Sequence, residues 1–166
     1  MFYNCTSLVE APDLPATTLD YQCYDSMFYG CTSLTKAPKL PATTLVSFCY
    51  ANMFKYCTSL TKAPDLPATT LAFHCYDSMF TKCTNLNYIK VGFTEWNDEY
   101  TGAWVDALPA SGTFIKPVDL PEIHGKNNIP SGWTIVNYEG SEVPLTFIAK
   151  STNSTIKLTK NRRTNC

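Results

Sequence analysis

Apolar residues return along this chain at a fixed interval. Leu45, Cys49, Met53 and Cys57 stand four apart with Phe54 beside Met53, and 26 residues earlier the same stripe reads Leu19, Cys23, Met27, Phe28 and Cys31. A four-residue step predicts one apolar face of a helix. Thr43 and Thr44 precede the stripe, where a hydroxyl can accept from the free N–H groups of a first turn, and Gly30 suits a left-handed helix end. The pattern therefore predicts a helix of about 8–11 residues in each copy. The other half of the unit, CTSLTKAPKLP, spaces Leu34, Ala37 and Leu40 by three, and Pro38 and Pro41 can donate no ladder hydrogen bond. It predicts a strand of about three residues around Thr35–Ala37 and an extended, polyproline-like exit.

The unit occurs as 1–26, 27–52 and 53–78, and MFTKCTNL from Met79 opens a fourth copy. Self-similarity at such a period is the signature of stacked rungs that bury a core only together. A helix behind and a short parallel strand in front predict an α/β architecture, a leucine-rich-repeat-like right-handed βα solenoid. From Leu86 the sequence LNYIKVGF exchanges prolines for β-branched and aromatic residues, a better strand than its predecessors. Ala103, Trp104, Ala107 and Leu108 predict a short helix. Residues 112–116 and 133–137 read as two further parallel strands, separated by a turn-rich loop. Trp104, Trp133, Phe93 and Phe114 supply the bulk that closes a stack.

One repeat domain is expected over 1–138, its partial fourth repeat and closing segment running over 79–138. Residues 139–166 read as a linker and the truncated start of a further β-module, where Leu145/Phe147 and Ile156/Leu158 alternate with polar residues. Met1 aligns with Met27, Met53 and Met79, so the chain is expected to begin inside a larger array or to have lost its cap. Met1, Phe2, Cys5 and Leu8 would then lie uncovered, able to self-associate through this N-terminal repeat.

The motif C-x-x-L-x-x-x-P-x-L-P followed by L-x-x-x-C-Y-x-x-M-F-x-x-C resembles the BspA-like leucine-rich repeats of bacterial surface proteins. GTFIK and IPSGWTIVN are similar to closing segments of Bacteroides-type members. The resemblance covers residue 1 to about residue 137, though an Ile and an Ala-Phe pair commonly stand where this chain has Cys49 and Met53-Phe54. It implies a secreted or cell-surface, non-enzymatic scaffold for adhesion or protein binding, at an extracellular location.

Composition narrows the remaining choices. The 166 residues are 45% hydrophobic with a formal net charge of −1, enough for one real core and no argument for nucleic acid. No apolar run approaches the ~20 residues of a membrane span. Of eight cysteines, Cys5, Cys31, Cys57 and Cys83 form one series and Cys23, Cys49 and Cys75 another. Metal spacing of the C-x-x-C kind is missing, and rung-to-rung disulfides are conceivable, but ladders of small buried apolar groups fit the repeat best. Neither histidine, His74 nor His124, belongs to a catalytic constellation, and no cofactor motif occurs.

The front of the rungs is more informative. Equivalent positions read Glu10, Lys36, Lys62 and then Asp13, Lys39, Asp65, so that Lys39 is placed to pair with either neighbour. These six residues, with Trp96 and Trp104 of the closing region, are the candidate partner-binding positions, and no catalytic, cofactor or metal residue is assigned. The first reading is recognition of an extracellular protein, host or matrix, on the repeat face. The alternatives are a structural spacer displaying another domain, or a carbohydrate-binding accessory that uses Trp96 and Trp104.

Overall fold

The computed structural model describes residues 1–139, so the β-module expected over 139–166 lies, but for its first residue, outside the described residues. Its rungs do stack with the 26-residue period, but they contain no helix. Across 46–57 the backbone instead runs as a series of four-residue turns. The N–H groups of Cys49, Ala51, Met53, Lys55 and Cys57 each donate to the carbonyl three residues back, at 2.9–3.3 Å. The intervening N–H groups point the other way: Phe48 donates to Phe73, Tyr50 to Cys75, Asn52 to Asp77, Phe54 to Met79 and Tyr56 to Thr81, at 2.8–3.1 Å. The same alternation runs through 22–31 and 74–83.

Such a chain must turn left-handed at every fourth residue. Phe48, Asn52 and Tyr56 have φ of 58°, 53° and 65°, as do their counterparts Gln22, Ser26 and Gly30 and His74, Ser78 and Lys82 at 51–69°. For an L-residue other than glycine this conformation costs roughly 1–2 kcal/mol. What offsets it is that every such residue spends its N–H on the next rung. A helix satisfies its backbone internally; this backbone ties one rung to the next.

The expectation of an α/β, leucine-rich-repeat-like right-handed βα solenoid is therefore corrected. The described residues have no helix in the repeats or at 103–108, where Ala103 and Ala107 also turn left-handed. The front strands of the first three copies shrink to isolated parallel bridges, Glu10 with Lys36 and Lys62 with Tyr88. Regular strand begins where the prolines stop. β1 (Tyr88–Lys90), β2 (Thr113–Pro117) and β3 (Thr134–Tyr138) form a parallel sheet in the order β1-β2-β3, with Ile89, Phe114 and Ile135 in register.

The core is made of ladders. Phe2, Phe28, Phe54 and Phe80 stack at 5.5–5.8 Å between ring centroids, and Tyr24, Tyr50 and Tyr76 at 5.8–6.1 Å. A thiol ladder accompanies the phenylalanines: Cys31, Cys57 and Cys83 donate Sγ–H to the carbonyls of Phe2, Phe28 and Phe54 at 3.0–3.1 Å. All seven described cysteines are free; five are buried, whereas Cys5 and Cys23 of the first rung are exposed. Burial pushes the thiols up, Cys49 to about 11 and Cys75 and Cys83 to about 12. The far end of the ladders is sealed by Trp104, fully buried against Tyr76, Phe80, Phe93 and Phe114.

Candidate binding face

The Pro-rich fronts of the rungs form a face whose floor is Ala63, Pro38, Pro64, Leu40 and Leu66, all buried, and whose rims are charged. Two adjoining grooves cross it. One, of about 590 Å3, runs between residues 35–41 of the second rung and 62–67 of the third. The other, of about 630 Å3, is walled by Tyr88, Lys90, Gly92, Ile115, Pro117 and Tyr138. They share Asp65 and Pro67. Rungs come very close at the junction: a Cβ on Gly92 would lie 2.8 Å from the Pro67 carbonyl oxygen, so only glycine fits there.

Charge on this face is mostly neutralised rung by rung. Lys36 is paired with Glu10, the contact that holds its ammonium above the usual lysine range. Lys90 lies 3.4 Å from Asp65, and its Nζ also sits 5.9 Å from the Tyr138 ring centroid. Lys62 rests on the face of Tyr88 at 4.6 Å. Among the described residues neither Lys39 nor Lys62 has a carboxylate within ion-pair distance, so the pairing expected of Lys39 with Asp13 or Asp65 does not form.

Of the eight candidate positions, Lys36, Lys39, Lys62 and Asp65 line the first groove. Glu10 reaches it through Lys36, and Asp13 acts on the Lys36 ammonium. The two tryptophans do not belong there. Trp104 is fully buried, which corrects its place among surface contacts: its indole N–H donates to the Asn128 carbonyl at 2.9 Å. Trp96 is half-buried beside a separate hollow of about 290 Å3 with Phe93, Asn97 and Tyr100, and its N–H is committed to the Pro121 carbonyl at 2.8 Å.

Three features of the site escaped sequence reasoning. Tyr88 and Tyr138 wall the second groove, although the rung register places Tyr88 where earlier copies have Lys62 and Lys36 and so could have announced it. Lys116 is buried and donates to the Leu120 carbonyl at 2.6 Å, pinning the loop that leaves β2; an alternating strand gives no warning of an inward lysine. The third is a break in the ladder. Rungs one and two are joined in front by Ala11 N–H to Lys36 O, and rungs three and four by Ala63 N–H to Tyr88 O and Leu66 N–H to Lys90 O. No backbone hydrogen bond links 35–41 to 61–67.

No helix of the described residues is long and apolar enough to cross a membrane. Comparison of the chain with protein-family models, with curated proteins and with solved structures finds no match.

Proposed function

We propose that this chain is a non-enzymatic binding module of a bacterial cell surface that recognises an extracellular protein through the front face of its rungs. The observation that carries the reading is the pair of adjoining grooves between 35 and 138, an apolar floor with charged rims that spans five rungs. Four rung spacings of ~4.8 Å give roughly 19 Å, enough for about six residues of extended chain. Protein is favoured over sugar because the two aromatic faces in the groove, Tyr88 and Tyr138, already carry the ammonium groups of Lys62 and Lys90. The surface location follows from the resemblance of the repeat motif to bacterial surface proteins.

The reading is tested on an array of purified extracellular proteins and glycans probed with the labelled chain. Wild type is expected to hold protein spots. The double variant Pro41→Asp, Pro67→Asp places charge on the exposed lip of the groove and should lose at least tenfold in affinity. Tyr21→Ser, away from the groove, should bind as wild type. Binding to glycans alone, no binding at all, or equal binding by the double variant would overturn the proposal.

A further inference from the structure

We infer that the cleft between the second and third rungs is a docking site for an extended acidic peptide segment. The inference rests on the reading of the front face as a protein-binding surface, and it names the chemistry of the partner.

The sequence is nearly the same on either side of this cleft, TKAPKLP against TKAPDLP, so local propensity does not explain why the ladder opens only here. Charge does. Where rungs one and two meet in front, Glu10 faces Lys36; where rungs three and four meet, Lys62 faces the ring of Tyr88. Between rungs two and three the equivalent positions are Lys36 and Lys62, two lysines in register whose ammonium groups are turned apart, one to Glu10 and the other to Tyr88. Directly opposed like charges on neighbouring strands are destabilising. The rungs stay joined behind by the turn-to-turn bonds from Phe48 to Tyr56, and beyond the prolines by the Thr44–Thr70 bridge. In front they part, leaving the groove of about 590 Å3.

The cleft has a consistent demand. Lys39 lines one side of the cleft and Lys62 the other, neither with a carboxylate partner among the described residues; Lys62 has only the Tyr88 ring, and Lys36 shares its charge only with Glu10 on its outer side. Asp65, the one acid lining this groove, is turned to Lys90. An acidic side chain seated between Lys36, Lys39 and Lys62 would relieve the repulsion that opened the cleft. Charge-assisted N–H···O bonds are about twice as strong as neutral ones. The N–H groups of Ala37, Lys39 and Lys62 form no bond across the cleft and can serve the backbone of an extended segment. Pro38, Pro41, Pro64 and Pro67 donate nothing, so such a segment must also pack small apolar or proline side chains against their rings.

Fluorescein-labelled octapeptides of Asp, Pro and Ala provide the probe, against matched Lys/Pro/Ala and Ser/Pro/Ala peptides and a heparin-derived octasaccharide. Anisotropy gives Kd, and 15N chemical shifts of the whole chain give the location. The acidic peptide should bind at least tenfold tighter than the other two, weaken as salt is raised, and move the amides of Ala37, Lys39, Lys62 and Ala63. Lys39→Glu should weaken it at least tenfold. Lys62→Glu gives Lys36 an opposed carboxylate, so it should both abolish binding and, with no ligand present, raise the exchange protection of the Ala37 and Lys62 amides as the ladder closes. That second measurement needs no peptide.

Equal affinity for the neutral or basic peptide would overturn the inference. So would shifts confined to other residues, tighter binding of the octasaccharide, or unchanged exchange in Lys62→Glu. If array proteins still bind through the face while these results are negative, only the acidic-peptide inference falls; if array binding also ignores the face, the proposed function falls with it.

Discussion

The repeats and the closing segment solve the same problem, holding parallel rungs together, by opposite means. From 1 to 83 the rungs are tied mainly behind, through turns whose alternate N–H groups cross to the next rung, while in front they touch at single bridges. From 86 to 138 the ties move to the front, into the continuous ladder of β1, β2 and β3. The residues follow the mechanism. The middle left-handed turn of each copy carries a small polar residue, Ser26, Asn52 or Ser78, and prolines keep the repeat fronts free of ladder. β-Branched and aromatic residues then restore the strand. A face without a continuous ladder leaves backbone and charge available to a partner; a closed sheet does not. This difference explains why the open cleft lies among the repeats.

The largest expected effect separates the two regions by pH. Every described cysteine lies in the first 83 residues, and burial raises the thiols of Cys49, Cys75 and Cys83 from an ordinary value of 9.0 to about 11, 12 and 12. A group whose value is raised by folding contributes its stability in full below the unfolded value and loses it as pH climbs through the folded one. Urea midpoints should therefore be level from pH 6 to 8, fall from pH 9, and keep falling through about 12. Each tenfold displacement is worth about 1.4 kcal/mol per thiol, so the loss is on the order of several kcal/mol by pH 11. The variant Cys49→Ala should lose less over that interval. A midpoint unchanged between pH 8 and 11 would contradict the buried, protonated ladder.

Next in size is the joint between the regions. Trp104 touches the last rungs of both aromatic ladders on one side and Phe114 of β2 on the other. Trp104→Ala should cost about 3–5 kcal/mol, measured by urea denaturation. Trp96→Ala, at a half-buried position on the edge of that seal where it packs on Trp104 and Phe114, should cost less. Equal losses would mean that Trp104 is not the seal.

Much of this was legible in the residues. The period, the stacking and the parallel strands near 112–116 and 133–137 were, and the last two fall within one residue of β2 and β3. The helix was not, for a reason present in the spacing. A helix turns about 100° per residue, so a stripe kept strictly at four, as Leu45, Cys49, Met53 and Cys57 are, would drift about 40° per step and leave one face within three steps. A true helical stripe mixes threes and fours. Asn4 and Gly30, at equivalent turns of the first two copies, and Asn52, at the preceding turn of the second copy, were a second signal, since these residue types tolerate left-handed backbone. For the binding face, the Glu10, Lys36, Lys62 series carried the clash that opens the cleft. The neighbouring Asp13, Lys39, Asp65 series suggested pairs that rung geometry withholds, because Asp65 turns to Lys90. Nothing in a local pattern says which of two neighbours a side chain will choose.

The smallest expected effect compares one substitution in both regions. Ser78 sits at a left-handed turn, φ 52°, and gives its N–H to Gly102 across the rungs at 2.7 Å. Thr134 opens β3 and gives its N–H to Gly112 at 2.9 Å. Both N–H groups therefore serve inter-rung bonds of similar length, and neither side chain is buried. Valine keeps both bonds available, so only backbone preference separates the two sites. A branched Cβ is poorly accommodated at positive φ, and Ser78→Val should cost about 1–2 kcal/mol. In the strand the same residue is favoured, so Thr134→Val should be neutral or slightly stabilising. Ser78→Gly completes the test. Glycine relieves the left-handed strain but gives back about as much through the entropy of the unfolded chain, so its midpoint should stay near wild type. Should valine prove equally tolerated at 78 and 134, the repeats would not depend on left-handed turns, and the contrast between the two ways of tying rungs would fail.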